Sequence, residues 1–269
     1  MTIAITRRCT ACGSCITTCP ESALSPAPLA PAVDPDRCTD CLACLEVCPV
    51  DAIWPLPPPI HPIELESYRI MNSEVDFSSW PEGQREVVAR MVHATADDSF
   101  ATSARVGAAA VAGAVAALRS GAPVICDARM VMAGIPSVST AVCYLDRVGG
   151  APEGSTRSAA AITAAVEEHP DGALWVIGNA PTALTALLAM HDLARPAAVI
   201  GLPVGYVGAA ASKAELWSGP WRALAITNVG RRGGSAAAAA AVNALMRLAL
   251  SEDPGPPDAS QTRSDGRGS

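Results

Sequence analysis

The sequence predicts an α/β domain built on a parallel sheet with both faces covered, preceded by a small cysteine-rich unit. Three observations carry this. Of the ten cysteines in the chain, eight fall within residues 9–48. A proline run, Trp54-Pro-Leu-Pro-Pro-Pro-Ile60, follows them. Beyond it, short continuous apolar runs alternate with Ala-rich helical patterns, as expected of strands buried on both faces.

The chain has 269 residues, half of them hydrophobic and 17% charged, which suits one good-sized domain plus a small one. Net charge is −7, and the only adjacent basic pairs are Arg7-Arg8 and Arg231-Arg232, so nucleic acid is not an expected partner. The longest uncharged Ala/Val runs, 106–118 and 233–246, are too short to span a membrane. No apolar segment near Thr6-Arg7-Arg8 could serve as a signal peptide, and the expectation is a cytoplasmic protein.

Within residues 1–56 the cysteines read Cys9-x2-Cys12-x2-Cys15-x3-Cys19-Pro20 and then Cys38-x2-Cys41-x2-Cys44-x3-Cys48-Pro49, a repeat with a period of 29 residues. Three cysteines at two-residue spacing wrap one corner of an iron–sulfur cube, and the fourth comes from elsewhere. Zinc prefers two cysteine pairs across a longer loop. The pattern resembles the bacterial two-[4Fe-4S] ferredoxins, a small ferredoxin-like α+β fold in which the fourth ligand crosses over. That resemblance assigns Cys9, Cys12, Cys15 and Cys48 to one cluster, and Cys38, Cys41, Cys44 and Cys19 to the other. Ile3-Ala-Ile5 and Ala52-Ile53-Trp54 are the expected paired edge strands. In so small a unit the metal stands in for a hydrophobic core. The prolines then make a stiff linker at 57–60 and a domain boundary.

The second domain is expected over 61–250. A helix runs from His61-Pro62 to Glu74, with Ile63, Ile70 and Met71 on one face and Ser67 close by. Ser79 and Pro81 read as the start of the next helix, where Val87, Val88, Met91 and Val92 recur at helical spacing. An Ala-rich helix is expected from Ser103 to Arg119, ended by Gly121. Strands follow at about 123–127, 141–145, 173–177, 197–202 and 223–227, with helices at about 156–168, 181–193, 209–217 and 235–250. Cys126 and Cys143 sit in apolar runs as small buried hydrophobes. Residues 251–269 lack any large apolar side chain and read as a disordered tail.

The chemistry is expected at Arg90-Met-Val-His-Ala-Thr-Ala-Asp97. Arg90 and His93 lie three apart and Glu86 four before Arg90, so all three share one helix edge. A histidine beside a cation, followed by Thr95 and Asp97, can exchange a proton near neutral pH. His61, His169 and His191 sit by prolines or charged residues at element edges and read as surface positions. Five Gly-rich or polar segments fall after strands or at helix starts: Asp127-Ala-Arg129, Thr156-Arg-Ser158, Gly178-Asn-Ala-Pro-Thr182, Gly201-Leu-Pro-Val-Gly205 with Gly208, and Gly230-Arg-Arg-Gly-Gly-Ser235. Ligands of doubly wound sheets bind at such strand ends, and together the five suggest a sizeable polyanion. Gly201-x3-Gly205-x2-Gly208 is not the dinucleotide fingerprint.

These segments, with Ile63-Glu-Leu-Glu-Ser-Tyr-Arg-Ile70, Gly121-Ala-Pro-Val-Ile-Cys-Asp127, Ser212-Lys213 and Asn243-Ala-Leu245, follow one another in the order of the precorrin-8X methylmutases of cobalamin biosynthesis, which residues 61–248 resemble. The resemblance implies a flavodoxin-like three-layer α/β fold, a homodimer, and an isomerase that moves a methyl group from C-11 to C-12 of a corrinoid ring. It implies that His93 is the acid/base residue, that Ser67 and Arg90 bind substrate beside it, and that Arg157 contacts a substrate carboxylate. The substrate is precorrin-8X or its cobalt form, and the shift needs no cofactor. Two [4Fe-4S] clusters would then serve a redox partner elsewhere in the pathway. The rival reading is an iron–sulfur oxidoreductase subunit acting on a corrinoid or flavin; a third is a corrinoid carrier.

Overall fold

The computed structural model describes residues 3–6, 8–55, 62–138 and 140–251. The expected linker at 57–60, His61, and the expected tail apart from Ser251 lie outside the described residues. The chain divides into two compact units, a smaller one containing Met1–His61 and a larger one, Pro62–Ala249. Among the described residues no helix is long and apolar enough to cross a membrane.

The small unit contains β1 (Ile3–Ile5), α1 (Ser14–Thr18), β2 (Leu24–Ser25), β3 (Ala32–Val33), α2 (Ala43–Glu46) and β4 (Ile53–Pro55). β1 pairs antiparallel with β4, Ile5 opposite Ile53, as the sequence leads one to expect. β2 pairs with β3. Ile3, Leu24 and Ile53 form the core with Cys15 and Cys44, and Cys19 and Cys48 pack against it. The repeat persists in the backbone. Ala11 and Asp40, Gly13 and Leu42, and Ser22 and Asp51 all have positive φ, each pair 29 residues apart. Five of these six are not glycine, a conformation that persists only where the surroundings demand it.

The larger unit opens with α3 (Pro62–Glu74), α4 (Gln84–Thr95), α5 (Ser99–Ser103), β5 (Ala104–Val106) and α6 (Ala110–Ser120). It continues with β6 (Val124–Cys126), α7 (Arg129–Ala133), β7 (Ala141–Cys143), α8 (Arg157–Glu168), β8 (Leu174–Ile177) and α9 (Pro181–Ala189). β9 (Ala198–Gly201), α10 (Ala209–Ser218), β10 (Ala225–Asn228) and α11 (Ser235–Ser251) complete it. The six strands lie in the order β5-β10-β9-β8-β6-β7. All pairs are parallel except β5 with β10, where Val106 faces Ile226.

Period-two alternation sorts the strand residues between the two faces. Ile125, Trp175, Ile177 and Val199 pack with α8, α9 and α10 in one core. The opposite face meets α7 and α11. A Cβ on Gly178 would lie 2.7 Å from the Ala238 Cβ and 2.9 Å from Val131. Small residues thus set the helix-to-sheet distance, and the alanine run of α11 is buried for this reason.

Several expectations change. The helix expected over 103–119 is interrupted, because Ala104–Val106 pairs with the open edge of β10 before α6 begins. Gly107 makes the junction possible: a Cβ there would lie 2.3 Å from the Arg222 carbonyl oxygen. Edge pairing and close backbone approach outweigh the helix preference of alanine. α4 starts at Gln84 rather than near Ser79–Pro81, because Gly83 turns the chain and Glu86 accepts the Gly83 N–H. Of the face expected on α3, Met71 is buried while Ile63 and Ile70 are exposed. α7 was not anticipated, and α9 ends at Ala189, short of Leu193. His169 is not a bare surface residue, since its ring stands edge-on to buried Tyr144 at 6.0 Å.

Candidate active site around His93

α4 is held by Val87, Val88, Met91 and Val92, none more than 1% exposed, so the adjacent edge carrying Arg90 and His93 is fixed in place. α3 lies against it and brings Glu64 and Tyr68, one turn apart. The Tyr68 ring stacks on the His93 imidazole at 4.4 Å with an interplanar angle of 4°. Arg90 donates to the Tyr68 hydroxyl at 3.1 Å and to Glu64. Arg247, from α11, stands 3.5 Å from the same Glu64 oxygen. Glu64 therefore joins three helices through two guanidinium groups. Burial works to raise its carboxyl, but Arg90 and Arg247 outweigh that and hold it below the usual range. His93 is pulled the other way, below the ordinary histidine value, first by burial and then by Arg90.

Ser67 is half-buried on α3, next in sequence to Tyr68. Of the other residues expected around His93, Glu86 caps its own helix. The Thr95 hydroxyl donates to the Met91 carbonyl at 2.8 Å, within α4. Asp97 pairs with Arg232 at 2.7 Å and accepts the Ser99 N–H. None of the three is drawn to the imidazole. Glu64, Tyr68 and Arg247 are the partners that sequence spacing missed. The signal for two of them was a carboxylate and a phenol at i and i+4 on the neighbouring helix. Arg157 stands apart, at the start of α8, where it donates to the Leu145 carbonyl at 3.1 Å. β5 and β7, the strands nearest these two groups in the chain, are opposite edges of the sheet.

The strand ends behave differently from expectation. Asp127, 1% exposed, follows β6 and accepts the N–H groups of Gly178, Asn179 and Ala180 at 3.0, 2.9 and 2.6 Å. Burial pushes its carboxyl up, against the pull of these three donors. β6 and β8 are neighbours whose crossovers leave in opposite directions, the point where such sheets bind anions. Here the protein's own carboxylate fills that anion nest, so the N–H groups of Gly178, Asn179 and Ala180 are already taken by an internal acceptor rather than offered to a phosphate. Gly205 N–H goes to the Arg231 carbonyl and Gly234 N–H to the Leu202 carbonyl. Lys213, 1% exposed, donates to Asn228 Oδ1 at 2.9 Å and to the Arg232 carbonyl, and burial pushes its ammonium down to about 8. These groups build the loops rather than presenting them to a ligand. Arg231 remains exposed, stacked 4.7 Å from the ring centroid of Tyr206.

In the small unit the thiol charges of Cys9, Cys12 and Cys48 act on Cys15, and those of Cys41 and Cys38, with Cys15, on Cys44. Burial comes first in raising both. The Ala23 N–H donates to Cys19 Sγ at 3.3 Å and the Ala52 N–H to Cys48 Sγ at 3.2 Å, again 29 residues apart. Such donors suit thiolates bound to iron. Among the described residues no three His, Cys, Asp or Glu side chains converge on a single ion. A cube does not require that, since each of its irons takes its own cysteine. The donor set fits iron–sulfur.

Comparisons with known proteins agree with both halves. A family model described as precorrin-8X methylmutase matches residues 62–248, and one described as a 4Fe-4S dicluster domain matches residues 8–52. The precorrin-8X methylmutase of Pseudomonas aeruginosa is 40% identical over 192 residues, 67% of this chain and 91% of that protein. The cobalt-precorrin-8 methylmutase of Methanothermobacter thermautotrophicus is also 40% identical, over 66% of this chain and 86% of that protein. The crystal structure of the precorrin-8X methylmutase from Thermus thermophilus superposes with a TM-score of 0.64 at 37% identity, covering 72% of this chain and 100% of that one.

Proposed function

Because this chain belongs to the precorrin-8X methylmutase family and carries a 4Fe-4S dicluster domain at its N-terminal end, we propose that it moves a methyl group from C-11 to C-12 of precorrin-8X or cobalt-precorrin-8, with His93 as the proton donor. It is an isomerase. The observation that carries the role of His93 is its environment: a half-buried imidazole, stacked on one face and set beside a guanidinium, on the helix edge next to a packed stripe. A 1,5-sigmatropic shift is redox-neutral, and protonation of a pyrrolic nitrogen lowers its barrier. His93 holds and delivers that proton, while Tyr68 covers one ring face and leaves the other for a flat substrate. Arg90 meets substrate carboxylates beside it, with Ser67 as a further contact. Arg157, at the opposite sheet edge, receives a carboxylate distant from the reacting carbons.

The parallel strands, taken without β5, run 2-1-3-4-5, which supports the flavodoxin-like reading. The self-filled nest at Asp127 speaks against the nucleotide or flavin oxidoreductase. The same reading takes the enzyme as a cytoplasmic homodimer, with domains at 1–56 and 61–250 joined by a linker at 57–60 and followed by a tail at 251–269. The test is turnover of precorrin-8X by anaerobically purified protein, followed by visible absorption, with cobalt-precorrin-8 in parallel. Conversion of neither removes the proposal.

Two [4Fe-4S] clusters fit the eight cysteines, Cys9, Cys12, Cys15 and Cys48 holding one and Cys38, Cys41, Cys44 and Cys19 the other; when bound they pass single electrons. If the fourth ligands cross over in this way, Cys19→Ser and Cys41→Ser abolish the same electron paramagnetic resonance signal, and Cys48→Ser and Cys12→Ser abolish the other. Loss of matching signals by Cys19→Ser and Cys12→Ser instead would contradict the crossover. Since the methyl shift needs no electrons, the clusters serve a redox partner elsewhere in the corrinoid pathway. Cells carrying Cys12→Ala with Cys41→Ala then make less corrinoid, and unchanged output at every oxygen level refutes that role.

A further inference from the structure

We propose that Glu64 and Tyr68 are positioning residues for His93: the Glu64 carboxylate, shared by Arg90 and Arg247, pins the Arg90 guanidinium against the Tyr68 hydroxyl and so keeps the Tyr68 ring flat on the imidazole. This rests on the reading of His93 as the proton donor. The contacts form one connected set. Arg90 is the only described group bonded to both Glu64 and the Tyr68 hydroxyl, and Tyr68 is the ring stacked on His93. The side chains of Arg90, Glu64 and Arg247 are 21%, 23% and 34% exposed, sheltered enough for their charges to act on one another.

The arrangement settles two competing demands. A cation beside His93 is useful for gathering a carboxylated substrate, yet Arg90 and Arg247 both disfavour a proton on the imidazole. Glu64 supplies the opposite sign at the same place. The charged and titratable groups facing His93 are then Arg90 from its own helix, Glu64 and Tyr68 from α3, and Arg247 from α11. The stack restrains imidazole rotation, which matters because a proton donor counts only in the orientation that the transition state uses.

The experiment is titration of His93 in the full-length holoprotein, followed by 13C-histidine NMR with His93→Ala for assignment, beside steady-state kinetics of Glu64→Gln, Tyr68→Phe and Tyr68→Leu. Glu64→Gln preserves shape and removes the counter-charge. The His93 titration midpoint should move to lower pH, and the limb of kcat/KM that falls as pH rises should move with it. At pH 7.5, kcat should drop about tenfold with KM within about threefold. Tyr68→Phe keeps the ring but removes the hydroxyl that Arg90 holds, so kcat should fall by about threefold, whereas Tyr68→Leu removes the stacked ring as well and should lose about tenfold. An unchanged or raised His93 midpoint in Glu64→Gln, or equal losses for Phe and Leu, overturns the proposal. Full activity of His93→Ala overturns the catalytic reading instead, and the NMR titration still reports on Glu64.

Discussion

Replacing His93 by alanine should lower kcat/KM by roughly 10²–10⁴, the usual contribution of a positioned proton donor. That range corresponds to about 3–5 kcal/mol of transition-state stabilisation. The neighbours of His93 decide how the loss will look. Val87, Val88, Met91 and Val92 hold α4 by themselves, so the helix survives the substitution. Arg90 keeps its bonds to Glu64 and Tyr68, so substrate binding should change by only about threefold if the loss lies in proton transfer. The pH dependence supplies the sign. Wild-type activity is present where His93 is protonated and declines as pH rises through its depressed pKa; residual activity in His93→Ala should lack that limb. Turnover within tenfold of wild type would place the proton donor elsewhere. Bound polyanionic substrate opposes the charges of Arg90 and Arg247, so in wild type the limb of kcat should fall at higher pH than that of kcat/KM.

Asp127→Ala should substantially destabilise the larger unit. The carboxylate accepts three N–H groups from the turn between β8 and α9, and its removal leaves them without that acceptor, the Gly178 N–H in a buried site and the other two partly buried. At about 1–3 kcal/mol for each unsatisfied buried group, with partial relaxation, a loss of about 3 kcal/mol follows. Asp127→Asn should cost less, but more than a neutral exchange. Two of the three donors point at one oxygen, and an amide nitrogen on either side of the group removes an acceptor. Denaturant unfolding of the full-length protein, read through Trp175 in the sheet core, measures both. A change under 1 kcal/mol in Asp127→Ala would mean that the turn holds itself. The alanine variant also reopens the anion nest. Binding of inorganic phosphate by the alanine variant but not by wild type would demonstrate what Asp127 excludes.

Much of this protein is legible in its sequence because burial has a period. The cysteine repeat specifies its metal chemistry through ligand spacing, and the same 29-residue period reappears in the backbone angles. Strands β6, β8, β9 and β10 announce themselves as continuous apolar runs, since both faces of each are covered. Arg90 and His93 share a helix edge by spacing alone.

Where the residues come from different segments, local pattern carries no information about their meeting. β5 reads as helix because Ala104 and Val106 have no intrinsic reason to extend; only the open edge of β10 supplies one. The gathering of Arg247 and Glu64 at Arg90 depends on how α11, α3 and α4 pack. Asp127 looks like a ligand-facing carboxylate until β6 and β8 become neighbours and bring three N–H groups to it. Separation of Arg157 from His93 follows from strand order. The sequence by itself determined most of the elements, the metal-binding pattern and the family. Tertiary structure alone decided which charges face His93 and which anion site is already filled, because electrostatic and hydrogen-bond partners are chosen by distance in space.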